Sequence, residues 1–181
     1  MNELPPHYRC TIRTLLRYAV VMVVFALLIG VAFRESSKKL GYDDLPAGAH
    51  LEAILNLGLV HGHAFTLGVL IPIAMAGALV LALRACGGRE LGSKTTKWLT
   101  RGYLPFATLS ILLLLYKGYH VLLAARGGET DFGVIYGGLF GGVTALRYAV
   151  YGIVHTAMAL SLAVFCIALF RSLGGVKDAE S

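Results

Sequence analysis

The sequence predicts an all-α integral membrane four-helix bundle, and two observations carry that expectation. The 181 residues are 57% hydrophobic and 14% charged, with a mean hydropathy of +0.72, against about 25% charged residues in an ordinary soluble domain. Four apolar segments, at about 15–33, 51–83, 103–125 and 146–170, each approach or exceed the roughly 20 residues needed to cross a bilayer. Lipid offers backbone N–H and C=O groups no partner, so the spans must be helices; the period-2 alternation of barrel strands is absent. The whole chain, 1–181, is expected to form one domain.

Each span has its own signature. The first, LLRYAVVMVVFALLIGVAF, follows Arg9 and Arg13 and itself carries Arg17. Its apolar run is longer than the roughly 7–15 residues of a signal peptide, and GVAFRES lacks a small-x-small cleavage site, so it is expected to be retained. The second is overlong for a hydrocarbon layer of about 30 Å and contains Pro72, which predicts a kink, a tilt or a projecting end. Asp44 followed by Pro46 is a start signal for that helix. The third is YLPFATLSILLLLYKGYHVLLAA and the fourth LRYAVYGIVHTAMALSLAVFCIALF. The glycines of GGETDFGVIYGGLFGGVTALR mark the connection between them as a loop.

Lys and Arg set the orientation. With the N-terminus inside, that side receives Arg9, Arg13, Arg17, Arg84, Arg89, Lys94, Lys97, Arg101, Arg171 and Lys177. The other side receives Arg34, Lys38, Lys39, Arg126 and Arg147, and Lys117 lies within a span. The excess predicts both termini in the cytoplasm. The net charge of +6 is thus accounted for by topology beside a lipid bilayer, and no nucleic-acid partner is called for. Cys10, Cys86 and Cys166 form no C-x-x-C or C-x-x-C-H pattern, which removes the zinc-ribbon and covalent c-type haem readings.

The histidines carry the chemical signal. With about 1.5 Å of rise per residue from each span's centre, His61, His63, His120 and His155 fall about 7–10 Å to one side of the midplane, predicting one layer of imidazoles from three helices. Ionisable groups inside a membrane are costly and mark functional sites. Successive helical residues turn by about 100°, so His61 and His63 point about 200° apart and cannot grip one metal ion together. His63 shares its face with Asn56 and Glu52, whereas His61 aligns with Leu57, Gly58 and Phe65. Lys117 with His120 forms one polar edge on the third helix, and Tyr148, Tyr151 and His155 form another on the fourth.

VHGHAFTLG, YKGYHVLLAARGG and YGIVHTAMALSL, within residues 52–172, resemble a small bacterial four-helix membrane family, itself similar in pattern to subunit I of the haem–copper oxidases. In that subunit twelve helices form three arcs of four, and an H-x-H pair on the second helix of one arc serves haems on its two sides. The resemblance implies a homo-oligomer, a trimer of twelve helices, in a bacterial inner membrane. His61 of one protomer and His63 of its neighbour would then clamp a b-type haem. A monomeric alternative pairs His63 with His155. Lys117, Arg126 and Arg147 are candidate partners for the haem propionates. No adjacent histidine pair and no H-x-x-x-Y pattern of the copper centre is present, so an oxygen-reducing site is not expected.

Three functions are consistent with these residues. The first is a membrane b-type haem protein in electron transfer or haem or gas sensing, oxidoreductase-like if it catalyses at all, with a quinol or redox protein as partner. The second is a copper or zinc binding or transport protein using His61, His63, His120 and His155. The third is an accessory structural membrane subunit.

Overall fold

The computed structural model describes residues 4–38 and 49–174. The protein is an all-α membrane bundle of four long helices: α1 (Pro6–Ser37), α2 (Ala49–Arg84), α3 (Ser93–Arg126) and α5 (Thr144–Leu173), with a short α4 (Phe132–Gly137) between the last two. Each long helix contains a window apolar enough to span a bilayer. All four extend past their apolar runs, because the flanking polar residues remain good helix formers and find partners at the bundle ends. The start signal at Asp44 and Pro46, and the basic residues Lys39 and Lys177, lie outside the described residues.

Helix α1 begins on Pro6, whose missing N–H costs nothing in a first turn. Its inward stripe is Tyr8, Thr11, Leu15, Ala19, Met22, Ala26 and Ile29, spaced by three or four residues along one face. Small side chains at 19 and 26 let α2 approach, and α2 in turn lies between α1 and α3. Helix α5 packs along α3 and meets α2 chiefly through the 71–84 half. The four helices therefore form an open arc at one end and close up at the other.

Proline shapes two of the spans. Pro72 has no N–H, and the helix before it widens into a π-turn at Thr66–Leu70; Pro105 is likewise preceded by a π-turn at Leu99–Tyr103. In a π-turn the Leu67 carbonyl would look to the amide of residue 72, which proline lacks. The Tyr103 hydroxyl donates to that carbonyl at 2.9 Å instead. One widened turn thus satisfies the other, as the absence of water in a bilayer requires. Gly68 and Gly102 sit where these turns touch neighbours: an added Cβ would come within 2.7 Å of Met22 Cε and of Ser161 Oγ respectively. The disturbance expected at Pro72 takes the form of a π-turn within a continuous helix.

Four successive long helices place the start of α1 and the end of α5 at one end, here called proximal. There the 85–92 connection is tied to α1 by Leu91 N–H donating to the Tyr8 hydroxyl (2.8 Å) and by His7 Nε2 donating to Leu91 O (3.0 Å). It is tied to α5 by Arg89 N–H donating to Ser172 O at 3.0 Å and by Ser172 Oγ donating to Arg89 O. At the distal end, residues 127–143 fold into a cap over α3 and α5. Asp131 starts α4 by accepting from Gly133 N (2.8 Å) and Val134 N (3.3 Å). The chain then reverses through positive φ at Phe140 (56°), Gly141 (66°) and Gly142 (82°). For Phe140 this left-handed conformation costs about 1–2 kcal/mol. Its N–H donates to the Tyr116 hydroxyl at 3.1 Å, and its ring lies 5.2 Å from Tyr116 and 6.0 Å from Tyr151, contacts that offset the strain.

Candidate functional site

The two histidines of α2 face opposite directions. His61 turns onto α1, where its Nδ1 lies 2.9 Å from Ala26 O, and its ring sits over Gly30. His63 is exposed on the outer side of α2, with Nδ1 2.8 Å from Leu59 O one turn back. A carbonyl oxygen accepts only, so both Nδ1 atoms carry the proton and, in the neutral ring, both Nε2 atoms carry the lone pair. Neither Nε2 makes a hydrogen bond among the described residues. A ring held by its N–H on a backbone carbonyl, with the other nitrogen left to a metal, is the usual arrangement of a ligating histidine.

His155 has the same tautomer, its Nδ1 donating to Tyr151 O at 2.7 Å, but its Nε2 is already engaged by the Ser110 hydroxyl at 3.2 Å. His120 is reversed: Nε2–H donates to Ile135 O at 2.8 Å and so fastens the distal cap to α3. Ser110 and His120 are ten residues apart on α3, about 15 Å along the axis. The single layer of four imidazoles expected from the sequence is therefore two tiers, because α3 runs on from Ser93 and its centre lies beside Ser110, so His120 stands well beyond the level of His155. His120 and His155 are not brought together. Among the described residues no group of three or more His, Cys, Asp or Glu side chains converges as a metal site would require.

The two polar edges read from the sequence meet in part, without their histidines. Lys117 on α3 and Tyr148, Tyr151 and Arg147 on α5 line one cavity of about 380 Å³, closed by Tyr136 of α4 and by Leu139. Lys117 Nζ stands 4.9 Å over the Tyr136 ring, and Arg147 Nη1 donates to Tyr136 O at 2.6 Å. Arg147 also reaches the Tyr148 hydroxyl at 3.3 Å and lies over its ring. Buried Asn56 of α2 donates to the Tyr136 hydroxyl at 3.4 Å. Burial raises the Tyr136 phenol above its ordinary range; the Asn56 hydrogen bond opposes this and the neighbouring Glu52 carboxylate adds to it. The phenol therefore stays neutral and offers Lys117 no counter-charge. Arg126, at the exposed end of α3, does not line this cavity.

Sequence reasoning assigned nothing to His7, Tyr8 or Tyr136. Tyr136 stood within a glycine-rich stretch that reads as a plain loop, and only the Asp131 cap, three residues before an apolar turn, signalled a helix there. The fold and these side chains define a multi-pass membrane protein with imidazole and cationic groups set among its spans. Comparison with protein families, curated proteins and solved structures finds no match to the chain.

Proposed function

We propose that the protein is a membrane b-type haem protein serving electron transfer or the sensing of haem or a diatomic gas, with His61 of one copy and His63 of a neighbouring copy as axial ligands. The observation that carries this reading is the pair of locked tautomers on α2, which leave two Nε2 lone pairs pointing to opposite sides of one helix. Two filled axial positions suit electron transfer, whereas release of one would open the iron to a gas. An imidazole facing acyl chains is costly, and a second copy seated on α2 would remove His63 from lipid. Such assembly is supported by α5, whose window is 17% buried against 39% for α2. It exposes the small residues Ala145, Ala149, Gly152, Thr156, Ala159 and Ala163 at alternating spacings of four and three, the pattern that lets membrane helices approach closely.

Three copies with twelve helices would close such a ring. The expected home is a bacterial inner membrane with cytoplasmic termini, and electrons would come from a quinol or a redox protein. The monomeric pairing of His63 with His155 would first have to break the Ser110–His155 hydrogen bond. The copper or zinc reading would need ligands other than His120 and His155 jointly, and the accessory-subunit reading leaves the exposed His63 unexplained.

The visible spectrum of the purified full chain is the test. A Soret band with reduced α and β bands is expected, lost in His61→Ala and in His63→Ala and retained in His120→Ala. Unchanged spectra in both α2 variants would reject the assignment. A colourless protein carrying stoichiometric copper or zinc would favour the metal reading, and an empty one the accessory subunit. Native mass measurement counts the copies.

A further inference from the structure

The cavity between α3, α5 and the distal cap holds two cations that nothing in it neutralises. Lys117 Nζ makes no hydrogen bond or ion pair among the described residues; a ring face at 4.9 Å attracts the charge without cancelling it. Arg147 spends two donors on Tyr136 O and the Tyr148 hydroxyl and keeps the rest of its five. Among the described residues no carboxylate lines the cavity or pairs with either cation: Asp131 caps α4, Glu129 accepts from Asp131 N, and Glu52 reaches only the Tyr136 hydroxyl from α2. A cation such as Lys117, nine residues inside the end of α3, is normally paired or faces a polar cavity.

The walls choose the kind of anion. Apart from the cations, the lining is three tyrosines and Leu139, and the adjoining outer surface of α5 is apolar, with Leu146, Tyr148 and Ile153 exposed. The cavity lies beside the first turns of α5, where one span ends. A group with a negative head and an apolar body, approaching sideways from the bilayer, meets this surface with both parts matched. The site is also separate from the α2 histidines, since His61 faces α1 and His63 faces outward.

We infer that the Lys117–Arg147 cavity binds the phosphate headgroup of an acidic phospholipid, its acyl chains lying along the outer face of α5. Arg147 supplies directional N–H donors and Lys117 a point charge, and the Tyr148 and Tyr151 rings flank the ester region. This goes beyond the haem assignment and does not depend on it.

The test uses the full chain, extracted in mild detergent and offered vesicles of phosphatidylglycerol or of phosphatidylcholine, with retained lipid counted by native mass spectrometry. Wild type should keep phosphatidylglycerol in preference, and Lys117→Gln should lower that preference by about tenfold, the scale of one charge-assisted contact. Arg147→Gln should do the same, but it also removes the brace on Tyr136 and could unfold the cap, so Lys117→Gln decides. Equal retention of both lipids, or a preference unchanged in Lys117→Gln, overturns the proposal. Protection against heat by inorganic phosphate alone, equal to that given by the lipid, would make this a free-anion site and overturn the lipid assignment. A Soret band lost in Lys117→Gln while lipid binding persists would hand the cavity to a haem propionate and likewise overturn it.

Discussion

Gly30 shows how a single position can govern a ligand ring from the neighbouring helix. A Cβ built there would lie 3.0 Å from His61 Nδ1 and 3.1 Å from Cε1, tighter than a side chain normally tolerates. Gly30→Ala should therefore push the imidazole off Ala26 O and unlock its tautomer, while improving helix propensity by roughly 1 kcal/mol. The expected result is a protein that is folded by circular dichroism and has weakened or altered cofactor absorbance. Gly62→Ala is the control: nothing lies within 4 Å of its added Cβ, so absorbance should not change. His120 belongs to the opposite case, a membrane histidine with a structural task. Replacing it with Leu removes the side-chain donor that ties Ile135 O to α3, leaving that carbonyl only the local Gly138 N–H at 3.2 Å, and should cost about 0.5–1.5 kcal/mol, read as faster amide exchange across residues 132–142 with the spectrum preserved. The divergence of His61 and His63 was legible from the 100° turn per residue alone. The task of His120 was not, since its acceptor belongs to a segment whose fold the glycines conceal.

At the level of elements, the paired π-turns are the feature that sequence indicated only in part. Pro72 announced a disturbance, but its form depended on a tyrosine 31 residues away in the chain, and Pro105 drew no expectation at all. The Tyr103–Leu67 hydrogen bond replaces a donor that proline removed, so Tyr103→Phe should expose an unsatisfied carbonyl inside the bundle and lower stability by about 1–3 kcal/mol. Pro72→Ala restores an amide that can take up the Leu67 carbonyl within α2. Adding it to Tyr103→Phe should recover most of the loss, and thermal unfolding of the two single variants and the double variant measures the coupling. Additive losses would show that the two turns are independent. The helices outrun the apolar segments for a related reason. Hydropathy marks where lipid begins, whereas helices end where the backbone finds other partners, as α1 does nine residues before its apolar run at the Tyr8–Leu91 contact.

The whole molecule joins two unlike ends. The proximal end gathers Arg9, Arg13, Arg17, Arg84, Arg89, Lys94, Lys97, Arg101 and Arg171, while the described distal end carries Arg34, Lys38, Arg126 and Arg147. That asymmetry was readable from the sequence, because it depends only on the order of spans and charges. The cationic cavity at the distal end was not readable, because it requires knowing that α4 folds back between α3 and α5. The proposed orientation, with the proximal end in the cytoplasm, rests on this asymmetry, and the cysteines offer a direct check. Cys10 and Cys86 are both exposed at the proximal end, whereas exposed Cys166 lies on α5, about two turns inward from Leu173. A membrane-impermeant maleimide should label Cys10 and Cys86 in inverted vesicles and not in intact cells, and should leave Cys166 untouched in both, because thiolate formation needs water that the hydrocarbon excludes. Labelling of Cys10 from outside intact cells would invert the molecule. The Lys117–Arg147 cavity would then face the cytoplasmic leaflet, where acidic lipids would meet it from the other side of the bilayer.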